Sequence, residues 1–385
     1  MMEDSRQTGK LYKGAFALML AGLFSKVISA FYRVPLQNLT GDIGFYIYQQ
    51  VYPILGIAFM LALYGFPAAI SKYIAEHKLH RYNKAIYNPI FFTLMSFSLL
   101  LFLVVFLFSP SIAKMMGDTY LISPIRHTAW VFLFVPFVAL LRGGFQSQQS
   151  MQPSAYSQII EQIVRAAIII LIAILIYKGK ISVYQIADGA VISSVLALSA
   201  SFVFLYVFGK RHFKSFSVKP LEEIRISDLF YSIIITGVVI SLNHMLLLLM
   251  QLADAFTVVP GLLTYGNSLT EAAVWKGIFD RGQPLLQLVT IVGSSIALAL
   301  VPQVTKMNWQ MNEEETLEKI RLSTKYCLII SLGATIGLIV LLPEINQLFF
   351  ENQQGGTMSL RILAISLLFT SLSVTMASTC KDSVI

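Results

Sequence analysis

Charged side chains inside otherwise apolar runs are the features of this chain that could do chemistry. The run at residues 15–36, AFALMLAGLFSKVISAFYRVPL, is long enough to cross a bilayer, yet it carries Lys26 near its middle and Arg33 near its far end. The hydrocarbon layer is about 30 Å thick, so its centre lies about 15 Å from either headgroup region. A lysine stem spans only part of that distance by snorkelling, and a charge at helix centre costs roughly 2.5–3.5 kcal/mol on insertion scales. Lys26 is therefore expected to face water, a counter-charge or an anionic substrate inside the protein. Seven residues, about two turns, separate it from Arg33, which places both on one face roughly 10 Å apart along a helix. That is a cationic stripe suited to an anionic headgroup. The alternative has Arg33 snorkelling to the interface and Lys26 paired with an acid on another helix.

Other charges fall at comparable positions. Asp280 and Arg281 lie near the outer end of an apolar run, with Lys276 beside Trp275. Arg281 is expected to face a cavity, with Asp280 as its counter-ion or a cation-coupling group and Lys276 as an interfacial anchor. Glu161 and Arg165 are spaced i,i+4, so a structural ion pair is the favoured reading. Asp254 is expected just beyond a helix end, solvated, and Asn243 and His244 as packing or inter-helix hydrogen-bonding groups. Catalytic constellations are absent: the sequence contains no HExxH, GxSxG, Walker A loop or CxxC. No enzyme, cofactor or metal is expected. Without an ATP site, uphill transport would draw on an ion gradient, the membrane potential or substrate mass action.

The elements that position these charges follow from composition. The chain has 385 residues, 56% hydrophobic and 12% charged, about half the charge of an ordinary soluble domain. Apolar runs of about 20 residues recur along its length, so an all-α polytopic membrane bundle is expected. Helices are placed at about 14–36, 44–71, 87–109, 121–141, 157–177, 183–208, 227–251, 272–302, 323–342 and 358–379, about ten transmembrane helices in all. Pro53 and Pro67 should kink the second helix without ending it. Basic residues gather on alternate links: Arg6, Lys10 and Lys13; Lys72 through Lys84; Arg142; the 209–226 link; and Lys306 through Lys325. The other links hold only Lys114, Lys178 and Lys180. The positive-inside rule then puts the N-terminus in the cytoplasm, and the net charge of +8 is membrane topology, not a nucleic-acid signature. Cys327 and Cys380 sit in apolar stretches and read as small hydrophobes. The first run lacks a clear cleavage site and is kept as a helix. Residues 1–208 form an expected N-terminal lobe of six helices, 209–226 a basic cytoplasmic linker, and 227–385 a C-terminal lobe of four. That is the division of a two-lobed transporter.

With the elements placed, the chain resembles the polysaccharide-export and lipid-flippase branch of the multidrug/oligosaccharidyl-lipid/polysaccharide exporter superfamily. Within it the similarity points to the stage V sporulation protein B group, relatives of the lipid II flippases. The residues that carry it are FSKV at 24–27 with RVP at 33–35, GD at 41–42, GFY at 44–46, YGFP at 64–67, ISK at 70–72, Asp254 with TV at 257–258, DRGQPL at 280–285 and ALVP at 299–302. The resemblance implies two helical lobes around a central cavity that alternates between the membrane faces, and a lipid-linked, pyrophosphate-bearing sugar as cargo. Lys26 and Arg281 fall at positions similar to the cavity cations of helices 1 and 8 in lipid II flippases, and Arg33 lies within a residue of another. The helix 2 arginine of those proteins has no equivalent: the region reads PILGI at 53–57. Such proteins have twelve to fourteen helices, so the second lobe is expected to be incomplete.

The expected function is translocation of an undecaprenyl-pyrophosphate-linked cell-wall or polysaccharide precursor by alternating access. Lys26, Arg33, Arg281 and Asp280 would form the substrate site, with Glu161, Arg165 and Asp254 as secondary positions. The expected setting is a bacterial plasma membrane, with lipids and cell-wall or sporulation proteins as partners and no nucleic acid. Two rivals are a cation-coupled multidrug exporter of the same superfamily, which should favour acids in its cavity, and a non-transporting membrane scaffold, which should be indifferent to Lys26.

Overall fold

The computed structural model describes the backbone of residues 2–76, 84–212, 226–287, 313–350 and 355–384. Every regular element among them is helical. The first helical stretch, Met2–Met60, is broken at Gly41, whose φ of 70° and ψ of −176° are not helical. The apolar segment through this point, Phe16–Glu76, is 61 residues long. At 1.5 Å per residue it would measure about 90 Å, three times the hydrocarbon thickness, so Gly41 separates two crossings. We name them α1 (2–40) and α2 (42–76). The others are α3 (Lys84–Met115), α4 (Thr119–Ser147), α5 (Gln152–Tyr177), α6 (Gln185–His212), α7 (226–264), α8 (Leu269–Asp280, resuming over 282–287), α9 (Glu313–Phe349) and α10 (Thr357–Val384). The polytopic all-α expectation holds, with a counterpart for each of the ten expected helices. The link expected between about residues 36 and 44 is shorter than anticipated, because α1 stays helical through Pro35 up to Gly41. Most of the 209–226 link and the far end of the eighth helix, including ALVP at 299–302, lie outside the described residues.

The described residues gather into two compact units. One comprises residues 1–28 and 47–269, the other 29–46 and 270–385. This partition differs from the lobe boundaries read along the sequence, and the 1–208 and 227–385 lobes remain a proposal.

In the first unit, helices meet where glycine lets backbones approach, the usual device of membrane interiors. A Cβ at Gly65 of α2 would collide with the Gly237 carbonyl and Ser241 hydroxyl of α7, and one at Gly143 of α4 with Ile70 of α2. Both α2 and α7 carry one turn of π-helix, Leu61–Gly65 and Tyr231–Ile235. The turn in α2 has a local cause. The Phe66 N–H bonds to the Leu61 carbonyl, five residues back. The next donor in that pattern would be residue 67, a proline without an N–H. The Ala62 carbonyl is thus left open, and the Arg142 guanidinium takes it at 3.3 Å. Pro67 does perturb α2, as expected, but through a π-turn whose orphaned carbonyl is claimed by another helix.

In the second unit, α9 and α10 pack together. Leu338 and Leu342 of α9, Leu360, Ala364 and Leu367 of α10, and Leu285 and Leu286 of α8 form one buried cluster. The elbow at residues 29–46 is fastened to α8: a Cβ at Gly277 would run into the backbone of Asp42. Asn38 donates to the Phe349 carbonyl at 2.9 Å.

Candidate substrate-binding site

The second unit holds five charged side chains that matter. Arg33, on the last turns of α1, is 1% exposed. Its Nη1 donates to Gln287 Oε1 of α8 at 3.3 Å. Arg281, at the break between the two parts of α8, is also 1% exposed. Its Nε donates to Asp42 Oδ1 at 2.9 Å, and its Nη2 makes a second bond to the same oxygen. Gln37 Nε2 donates to that oxygen as well, at 3.1 Å. The guanidinium stands 5.8 Å from the centroid of the Phe350 ring, within range of a cation–π contact. One turn earlier on α8, buried Lys276 pairs with buried Asp280. Three cations and two carboxylates are thus held in one compact unit.

Two expectations are corrected here. Asp280 is not the counter-ion of Arg281; its i,i+4 spacing gives it to Lys276, and the elbow's Asp42 serves Arg281. Lys276 is not an interfacial anchor either. It is 2% exposed while neighbouring Trp275 is 47% exposed, because consecutive helical residues point about 100° apart.

The first unit holds Lys26. This side chain is exposed, beside buried Ser25. One turn away on the same face is Gly22, where a Cβ would touch the Tyr64 hydroxyl and approach the Gln158 amide. The Lys26 face of α1 therefore borders a polar interior. Deeper in that interior lies a charge cluster. Glu161 of α5 bridges two arginines, with Oε2 to Arg142 Nη2 at 2.8 Å and Oε1 to Arg165 Nη2 at 2.6 Å. Arg142 also donates from Nε to Ser157 at 3.0 Å and from Nη2 to Ser201 at 3.0 Å. With Ala62 it ties together α2, α4, α5 and α6. Arg165 donates to Gln162 at 3.0 Å and lies 3.6 Å from the centroid of the Phe59 ring. His244 stacks on Tyr64 with centroids 4.1 Å apart.

The Glu161–Arg165 pair is present as its spacing suggested. Arg142, expected on a basic link, is inside α4 and fully buried. Nothing local marks it, because its partners lie 15 to 80 residues away in sequence. Asp254 is not beyond a helix end: α7 continues to Thr264 and holds it at an intermediate exposure. Asp42 was visible only as part of an apolar-flanked GD dipeptide; the turn chemistry of Gly41 is the signal that could have singled it out. Among the described residues no group of His, Cys, Asp or Glu could hold a metal ion.

Helices of this length and apolarity, with ion pairs buried inside them, define a multi-pass membrane protein. Over residues 11–308 the chain matches the polysaccharide biosynthesis protein family, and it belongs to that family. It is 40% identical over 379 residues to the uncharacterised membrane protein YabM of Bacillus subtilis (strain 168), covering 97% of this chain and 70% of that one. Lipid II flippase MurJ of the same organism is 21% identical over 393 residues, covering 96% and 72%. Its stage V sporulation protein B is 25% identical over 365 residues, covering 91% and 69%. Among solved structures, an inward closed lipid II flippase MurJ superposes with a TM-score of 0.67 at 13% identity, covering 95% of this chain and 75% of that one. An inward-facing multidrug resistance MATE transporter of the MOP superfamily gives 0.62 at 17% identity, covering 93% and 81%. The fold is therefore one that this flippase and this transporter share.

Proposed function

We propose that this protein is a flippase that carries a lipid-linked, pyrophosphate-bearing glycan precursor across a bacterial plasma membrane by alternating access. The N-terminus would lie in the cytoplasm, and the two lobes would flank a central chamber. The observation that carries the proposal is the burial of Arg33 and Arg281 among membrane helices, with charge-assisted partners that a phosphate could replace. Lys26, Arg33 and Arg281 would meet the pyrophosphate, since guanidinium forks match phosphate oxygens and an ammonium supplies a point charge. Asp280 would act on this site through Lys276. Glu161 and Arg165, joined by Arg142, would brace α2, α4, α5 and α6 as secondary positions, and Asp254 stands as a further candidate. Transport needs no chemical step; the protein offers cations to the headgroup and changes which side they face.

The multidrug exporter reading draws on the shared fold of the MATE structures. The excess of bases over acids near the candidate site favours an anionic cargo instead. Complementation separates the two. In a strain depleted of its lipid-precursor flippase, the wild-type chain should restore growth, while Lys26→Ala and Arg281→Ala should not, at equal membrane levels. Growth restored by both variants would remove the cationic mechanism.

A further inference from the structure

We propose that the Asp42 carboxylate is a stand-in for the cargo: it occupies Arg281 while the site is empty and is displaced by the incoming pyrophosphate. The inference rests on the flippase reading above and adds to it a residue and a competition.

Four observations support it. A carboxylate and a phosphate can each accept paired N–H bonds from a guanidinium, so one can take the other's place on Arg281. Arg281 Nε and Nη2 both spend their hydrogen bonds on a single oxygen, Asp42 Oδ1, while buried Nη1 has no acceptor among the described residues. The guanidinium therefore has donor capacity that Asp42 does not fill and that a many-oxygened pyrophosphate would. The Asp42 side chain retains 14% exposure where Arg281 retains 1%, so the carboxylate is the member of the pair nearer an exit. Asp42 also follows Gly41, whose φ of 70° breaks the helix there, so its carboxylate hangs from the start of α2 and not from a helix interior. Asp280 pairs with Lys276.

The competition has a kinetic purpose. A bare Arg281 would bind pyrophosphate tightly and release it slowly. An internal carboxylate lowers apparent affinity by the fraction of time it holds the site, and its return helps expel the headgroup. Asp42 is thus a positioning residue for Arg281, and its removal should raise affinity while lowering turnover.

The test uses full-length protein in nanodiscs, with farnesyl pyrophosphate and inorganic pyrophosphate as probes. Asp42→Asn keeps the shape and the Gln37 contact but removes the charge. It should bind farnesyl pyrophosphate at least about tenfold more tightly than wild type, equivalent to about 1.4 kcal/mol, and translocate more slowly. Asp42→Glu, which keeps the charge, should stay near wild type. Tightening toward inorganic pyrophosphate as well would show that the headgroup alone displaces Asp42; tightening only toward the isoprenyl form would show that the lipid must deliver it. Both outcomes uphold the competition. Wild-type binding that Asp42→Asn leaves unchanged or weakened, with an unaltered melting temperature, would overturn it. Absence of wild-type binding to either probe would overturn the flippase reading as well.

Discussion

Glu161 neutralises one of the two guanidiniums it touches, and the second leans on a neutral amide and an aromatic face. Removing the shared carboxylate should therefore be severe. Glu161→Gln leaves two buried arginines facing each other, and breaking a buried pair costs about 3–5 kcal/mol. Thermal unfolding of detergent-solubilised protein should show a clear drop in Tm; an unchanged Tm would mean the cluster is not what holds α4, α5 and α6 together. Arg165 was legible because i,i+4 neighbours share a helix face whatever the rest of the chain does. Arg142 was not, because its acceptors come from three other helices, and a basic residue at the edge of an apolar run looks the same whether it snorkels or turns inward. The same ambiguity separated Lys276 from its actual partner: a neighbouring tryptophan suggested an interface, while the carboxylate four residues on decided the matter.

At the scale of elements, glycine decides where helices bend and touch. Gly41 adopts a conformation costly to any side chain, and Gly41→Ala should cost about 1–3 kcal/mol through backbone strain. Gly65→Ala should cost at least as much, since its Cβ would strike the backbone of α7. Gly261, inside α7 with nothing within 4 Å, should tolerate alanine and could gain about 0.5–1 kcal/mol from helix propensity. Melting temperatures of the three variants should rank Gly261→Ala highest, with the other two well below it. Equal values would argue against tight crossings as the organising contacts. The sequence revealed that helices exist and roughly where, because a bilayer forces long apolar runs to satisfy their own backbone groups. It did not reveal that α1 runs through Pro35 to Gly41, or that Pro67 produces a π-turn. Those outcomes depend on which neighbour supplies the missing donor.

At the scale of the molecule, alternation of apolar runs and basic links was enough to announce a multi-pass helical protein. The family match and the exporter folds agree with that reading. Partner choice among the charges was the part least visible, since Arg281 could have used the acid beside it or, as it does, one 239 residues distant. The central claim is that Lys26, Arg33 and Arg281 carry a pyrophosphate headgroup across the membrane. The most direct measurement is translocation of an isoprenyl-pyrophosphate-linked sugar in proteoliposomes containing the purified chain, its Lys26→Ala variant or its Arg281→Ala variant. The wild-type chain should move the lipid between leaflets, and each variant should fall to the rate of protein-free liposomes. Variants that transport as fast as wild type would contradict the account.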